Sequence, residues 1–254
     1  MSEILRVEHL MKVYGNGVMA NKDITFTVNE GEIHALIGEN GAGKTTTMRM
    51  LLGLTAPTSG NVKIFGKPFQ ENEKKILPRI GCLIESPGFY PNLTGTENLK
   101  IFAELRGLRN PNYVKGALEL VNLPYRDKKL FSQYSLGMKQ RLGLASALIG
   151  RPPILFLDEP TNGLDPVGIH EIRTLIRSLP KKYDCTVLVS SHLLPEVELM
   201  ADDIGILNHG RLLFEGNLQE LRQMADFEGY PSDNLEDTFL AMVEEDNRKR
   251  GAGK

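Results

Sequence analysis

The chain has 254 residues, 41% hydrophobic and 24% charged, with 30 Lys and Arg against 32 Asp and Glu for a formal net charge of −2. This is the balance of a globular protein long enough for one large domain, or for a core with an inserted lobe, and it offers no cationic excess for DNA or RNA. No apolar run approaches the roughly 20 residues of a membrane-spanning helix, and the opening MSEILRVEHLMKVYG is too mixed for a signal peptide. The two cysteines, Cys82 and Cys185, are too few for a disulfide framework and are expected as buried free thiols, which suits a cytosolic protein.

The first segments read as strands. ILRVEHL and ITFTV alternate with period two, Gly31 turns the chain, and EIHALIG is an apolar strand running into a glycine-rich loop. A helix, KTTTMRMLLGL, follows to Gly53; TAPTSG is a turn; NVKIFG and RIGCLIES are further strands. Residues 90–150 then lose their β-branched runs and read as helices, with GTENLKIFAELRGL ending at Gly107 and NYVKGALELVNL ending before Pro124. A third helix follows Ser135, with Met138, Leu142, Ala145 and Ile149 on one face.

Strand character resumes in PILFLDEP, a continuous apolar run of the kind found in a parallel strand covered on both faces. Pro166 opens a helix striped by Ile169, Ile172, Leu175, Ile176 and Leu179, which Pro180 is expected to stop. TVLVSSH is another buried strand, and DIGILNHGRLLFEG is a hairpin turning at His209-Gly210. One weak amphipathic helix is expected around Leu235, Phe239, Met242 and Val243, followed by a frayed tail, EEDNRKRGAGK.

GENGAGKT, residues 38–45, matches G-x-x-x-x-G-K-[ST] in full, between a strand and a helix. Gly38, Gly41 and Gly43 let the backbone curl so that N–H groups point at phosphate oxygens, aided by the positive end of the helix. In that pattern Lys44 reaches the β- and γ-phosphates and the Thr45 hydroxyl ligates Mg²⁺. The second half of such a site is an acid at the end of a neighbouring strand, and ILFLDE supplies Asp158 for the metal and Glu159 to accept a proton from an attacking water. Two adjacent carboxylates repel each other, and a bound metal offsets that cost. His192, ending the strand in SSH, lies on the edge where ligands gather in parallel sheets.

Together these residues resemble the nucleotide-binding subunit of ATP-binding-cassette (ABC) transporters over nearly the whole chain. GENGAGKT resembles Walker A, with Asn40 and Thr46 joining its phosphate contacts; ILFLDEP resembles Walker B; NGLDP, with Asp165, resembles the D-loop; and His192 resembles the switch histidine. Tyr14, in KVYGN, resembles the aromatic that stacks on adenine. YSLGMKQR, residues 134–141, resembles the signature written L-S-G-G-Q, with Tyr134, Leu136 and Met138 departing from it and Ser135 and Gly137 kept. In the family, the signature of one subunit closes over the nucleotide held by the other's Walker A loop, Ser135 through its hydroxyl and Gly137 through its N–H.

The resemblance implies an α/β fold: a P-loop NTPase core with a RecA-like parallel sheet and an antiparallel β subdomain, plus an inserted all-helical subdomain. It implies one domain over 1–254, with core 1–88 and 151–215, helical subdomain 89–150 and C-terminal extension 216–254. It implies ATP and Mg²⁺, a second copy of the chain, separate transmembrane permease subunits docking near residues 85–105, and a place on the inner face of a bacterial membrane. Where the family usually has a metal-ligating Gln, this sequence has Glu85, in CLIESPGFYP. That departure, with YSLGMKQRLGLA, resembles the subgroup exporting lantibiotics and peptide antibiotics such as bacitracin. The expected function is therefore an ATPase subunit of a self-protection exporter. An exporter of another drug or lipid-like substrate, or a non-transport ABC ATPase, is the alternative. No N-K-x-D-like motif supports a GTPase, and a small kinase leaves residues 134–141 unexplained.

Overall fold

The computed structural model describes residues 2–84 and 88–251, in chain order β1 (Glu3–Val13), β2 (Met19–Asn29), β3 (Ile33–Ile37), α1 (Lys44–Leu51), β4 (Ser59–Ile64), β5 (Lys67–Pro68), α2 (Phe69–Ile76), β6 (Ile80–Leu83), α3 (Gly95–Leu105), α4 (Asn112–Leu120), α5 (Leu136–Leu148), β7 (Ile154–Asp158), α6 (Pro166–Tyr183), β8 (Thr186–Ser191), α7 (Leu194–Met200), β9 (Asp203–Asn208), β10 (Arg211–Asn217), α8 (Leu218–Glu228) and α9 (Leu235–Gly251). An antiparallel sheet has the order β2-β1-β4-β5, and a larger sheet the order β10-β9-β3-β8-β7-β6. In the larger sheet β9, β3, β8, β7 and β6 run parallel, and β10 returns antiparallel along the edge.

The period of two along a strand explains how one sheet serves two cores. On β7, Leu155 and Leu157 enter the core shared with the helices, whereas Ile154 and Phe156 enter the core under the antiparallel sheet and α1. Both faces are covered, which is why ILFLD reads as unbroken apolar sequence. Helices α3–α5 lie between β6 and β7, which are neighbours in the sheet, so the helical stretch enters and leaves at adjacent strands. Its first helix starts on a capping box: Thr94 Oγ1 accepts from the Glu97 N–H at 3.2 Å, and Glu97 Oε2 accepts from the Thr94 N–H at 2.8 Å. The α/β fold with an antiparallel sheet and an all-helical insertion is the one expected.

Four local expectations are corrected. Cys82 is exposed, because β6 is an edge strand that among the described residues pairs with β7 alone; Cys185 is buried as expected, and burial pushes its thiol up to about 12. Pro180 does not stop α6. It sits in the last turn, where a missing N–H costs one bond, and Asp184 ends the helix in a left-handed conformation, φ 50°. The segment before Leu235 holds its own helix, α8, capped by Asn217. Residues 244–251 belong to α9 and are not a frayed tail: Glu244–Arg248 and Glu245–Lys249 pair at one-turn spacing, and Asn208 Nδ2 donates to Asp246 and Asn247.

Candidate functional site

Parallel pairing brings three strand ends to one edge: Ile37 of β3 stands opposite Ser191 of β8, and Asp158 of β7 opposite Ser190. The loops that leave those ends therefore meet. From β3 the chain turns through residues 38–43 into α1, whose first turn has no acidic residue to neutralise its positive end. Gly43 caps that helix at φ 109°, where a Cβ would stand 2.9 Å from the Ala20 carbonyl oxygen. Glycine is thus required by both conformation and space.

Lys44 is 5% exposed, and its ammonium donates to the Gly38 carbonyl at 2.7 Å and the Glu39 carbonyl at 3.3 Å. The same Nζ lies 3.2 Å from Glu159 Oε1. Thr45 Oγ1 donates to Asp158 Oδ2 at 2.8 Å, and Ser190 Oγ donates to Asp158 Oδ1 at 2.5 Å. Glu159 has φ 49°, unusual for a residue with a side chain. The turn is held by its N–H, which donates to the Ser190 carbonyl at 3.2 Å and hydroxyl at 3.1 Å. Its Oε2 is 2.7 Å from His192 Nδ1, while its Oε1 is buried and accepts no hydrogen bond among the described residues. Thr46 lies in the first turn of α1, and Asn40 lines a cavity of about 450 Å³ with Gly38, Glu39 and His192.

A second set of expected residues collects elsewhere. Ser135 caps α5, its Oγ accepting from the Met138 N–H at 3.3 Å, and Asp165 caps α6, accepting from the Gly168 N–H at 3.0 Å. With Gly137, Gly163 and Leu164 they line a cavity of about 680 Å³ that contains none of residues 38–46. Leu136, in place of a glycine, is 55% exposed there. Tyr14 lies in the β1–β2 loop, 36% exposed, with the Lys12 ammonium 5.2 Å from its ring centre. Glu85 falls outside the described residues.

So Lys44 and His192 meet Glu159, Thr45 meets Asp158, and Ser190 links the two groups, whereas Ser135, Gly137 and Asp165 share a cavity apart from them. Three participants were not singled out from sequence. Ser190, which holds both Asp158 and Glu159, had a signal: it is a polar residue within an apolar strand, LVSSH. Gln140 donates to the Pro160 carbonyl at 2.7 Å and so ties α5 to the turn after Glu159. Asn21, fully buried, donates to Thr47 Oγ1 at 2.8 Å and the Gly43 carbonyl at 3.4 Å; nothing around it in sequence marks it.

Among the described residues no three His, Cys, Asp or Glu side chains converge as a metal cage. A hydroxyl and a carboxylate in contact, Thr45 and Asp158, instead form a hard-oxygen pair suited to an ion that keeps phosphate and water ligands. Glu159 Oε1, buried and ion-paired with the Lys44 ammonium, suits a substrate that draws the ammonium away and delivers a proton donor to that point.

Comparison with known proteins points the same way. Residues 21–162 match the family described as ABC transporter. The chain is 49% identical to the bacitracin transport ATP-binding protein BcrA of Bacillus licheniformis, over 88% of this chain and 72% of that protein. It is 39% identical to the lantibiotic transport ATP-binding protein SrtF of Streptococcus pyogenes, over 94% of this chain and 97% of that protein. A solved ATP-binding cassette, a dimer in a post-hydrolysis state bound to ADP and Pi, superposes with a TM-score of 0.74 at 27% identity, covering 84% of this chain and 98% of that one.

Proposed function

The chain belongs to the ABC transporter family as an ATP-binding subunit that hydrolyses ATP, and from that premise we propose which residues do the work and what it moves. The nucleotide's phosphates bind the N–H groups of Gly38–Thr46 at the start of α1, Asn40 included, with the adenine on Tyr14. Lys44, now held by its own loop's carbonyls and Glu159, turns its ammonium to the β- and γ-phosphates. Thr45, Asp158 and Glu85 would hold Mg²⁺, which would neutralise phosphate charge. Glu159 Oε1 accepts the proton of a water attacking the γ-phosphorus in line, and His192 holds the other oxygen of that carboxylate. The single observation that carries this reading is the buried Glu159 Oε1, which faces the Lys44 ammonium at 3.2 Å and accepts no hydrogen bond among the described residues.

The chain works as a pair. Ser135 and Gly137 of one copy, with Asp165 beside them, close on the nucleotide held by the other, and the support is their separate cavity. Loss of the γ-phosphate removes the bridge, and the copies part. No helix among the described residues is long and apolar enough to cross a membrane. Permease subunits supply the path and dock near residues 85–105 at the inner membrane face. The unit comprises a core, 1–88 and 151–215, a helical lobe, 89–150, and an extension, 216–254. Its cargo is a peptide antibiotic of the bacitracin or lantibiotic class, a reading supported by what BcrA and SrtF are named for.

Glu159→Gln tests both halves. It should lower ATP turnover by about 10²–10⁴-fold while leaving ATP binding intact, since it removes only the proton acceptor. In cells the same substitution should abolish tolerance to bacitracin or a lantibiotic. Full turnover, or full tolerance to both peptide classes, would refute the corresponding half.

A further inference from the structure

The C-terminal helix α9 reaches the phosphate loop by two routes. The first is a relay of backbone and amide contacts. Asn208, 3% exposed at the end of β9, donates from Nδ2 to Asp246 Oδ2 at 2.8 Å and to Asn247 Oδ1 at 3.3 Å on α9. The next two residues, His209 at φ 46° and Gly210 at φ 78°, form the turn into β10. The Gly210 N–H donates to the Ala42 carbonyl inside the phosphate loop at 2.9 Å, and the Gly210 carbonyl accepts from the Lys22 N–H at 2.6 Å.

This junction has no slack. A Cβ on Gly210 would stand 2.3 Å from the Ala20 carbonyl oxygen, and one on Gly43 would stand 3.5 Å from Gly210 Cα. The turn, the start of β2 and the loop are in backbone contact, so a shift of one displaces the others. Around α9's end of the relay, Asp246 is the acid among Lys22, Arg211 and Arg250; burial and then the two arginines pull the Lys22 ammonium below its ordinary value, and Asp246 opposes them. Lys22 is the residue whose N–H holds the turn.

The second route is a shared cavity. Phe239 of α9, 5% exposed, lines the 450 Å³ cavity with Gly38, Glu39, Asn40, His192 and Leu194. One helix is therefore linked to Ala42 through Asn208 and the His209–Gly210 turn, and lines with Phe239 the cavity that Gly38–Asn40 also line.

We propose that α9 is a positioning element for the phosphate loop, acting through Asp246, Asn208 and the His209–Gly210 turn, so that the seating of the C-terminal helix sets how tightly ATP is held. The proposal rests on reading residues 38–46 as the nucleotide site. Asp246→Ala removes the nearer of Asn208's two acceptors on α9, leaving only Asn247 at 3.3 Å, and takes the acid away from Lys22, Arg211 and Arg250. Asp246→Asn keeps an acceptor oxygen and so restores the relay.

The test uses the full chain, with ATP affinity read by displacement of a fluorescent ATP analogue, turnover at saturating ATP, and hydrogen exchange at the Gly210 amide. Asp246→Ala should weaken ATP affinity about fivefold with turnover at saturation within about twofold, and should speed exchange at Gly210; Asp246→Asn should recover most of the affinity. Asn208→Ser, read the same way, serves if Asp246→Ala fails to fold. Unchanged affinity and unchanged exchange in either folded variant would overturn the coupling, as would equal loss in Asp246→Asn. Lys44→Ala is the control. If it abolishes binding while Asp246→Ala binds like the parent, only the coupling fails; if Lys44→Ala itself binds ATP normally, the site reading fails with it.

Discussion

Around Lys44, strand ends from β3, β7 and β8 bring an ammonium, two carboxylates, an imidazole and two hydroxyls into two clusters, Lys44–Glu159–His192 and Thr45–Asp158–Ser190, joined by Ser190 within a single chain. Around Ser135 the polar groups are turned to local duty: the serine starts α5 and Asp165 starts α6, with an open cavity between them. The first region is assembled by tertiary folding, the second by two helix starts side by side. That contrast fits the proposed division of one site between two copies. In that proposal the half that performs chemistry is built to tight tolerance, and the half that arrives last keeps a free face.

Mixing two crippled copies puts this contrast to its hardest test. Lys44→Ala and Ser135→Ala should each lower turnover by about 10²-fold or more. Mixed and exchanged, they should recover about a quarter of the parent rate, because half of the pairs are mixed and each mixed pair has one intact site. No recovery, measured by steady-state phosphate release, would place both residues in the same site.

A smaller effect concerns the core beneath the first region. His34, on β3, is 1% exposed and stacked on Phe26 with ring centres 5.4 Å apart, and burial lowers its pKa to about 4. Glu32, 4.0 Å from its Nδ1, is itself pushed up by burial, so it is a poor counter-ion. The unfolded chain takes up this proton near 6.5 and the folded chain only near 4, so the neutral imidazole's contribution is complete above 6.5 and is lost as pH falls toward 4. Across that window it amounts to roughly 3 kcal/mol. His34→Phe should flatten this part of the profile, read from denaturant midpoints between pH 7 and 4.5; an unchanged slope would count against it.

The smallest expected effect separates the two duties of the second region. Asp165→Ala should cost about 1 kcal/mol through loss of the α6 cap, and Asp165→Ser should regain most of it. Thermal melting of the chain measures this without nucleotide. If the serine variant melts like the parent yet turns over slowly, the aspartate's charge matters at the interface as well as at the cap.

Legibility in the sequence divides along the same line. The gathering of residues 38–45, Asp158, Glu159 and His192 at one sheet edge is readable because each sits in a short local pattern at the end of an apolar strand. Asn21 is not, because its partners Gly43 and Thr47 lie more than twenty residues away and only packing brings them together. Pro180 misled because proline's missing N–H matters less in a last turn than in a helix interior. The charged run after Val243 looked like a solvated end, yet its acids and bases fall at one-turn spacing and Asn208 anchors it. Contacts far apart along the chain, as with Asn208 and Asp246, leave no local trace.

A serine hydroxyl offers one proton and two lone pairs. At the start of α5, Ser135 spends a lone pair on the Met138 N–H and, among the described residues, donates its proton to no one. Under the proposed pairing, the same oxygen secures its own helix during folding and later greets a neighbour's phosphate, without giving up one role for the other. An aspartate would begin the helix as well and drive that phosphate away; an alanine would do neither. On that proposal, the side chain there must face inward and outward at once.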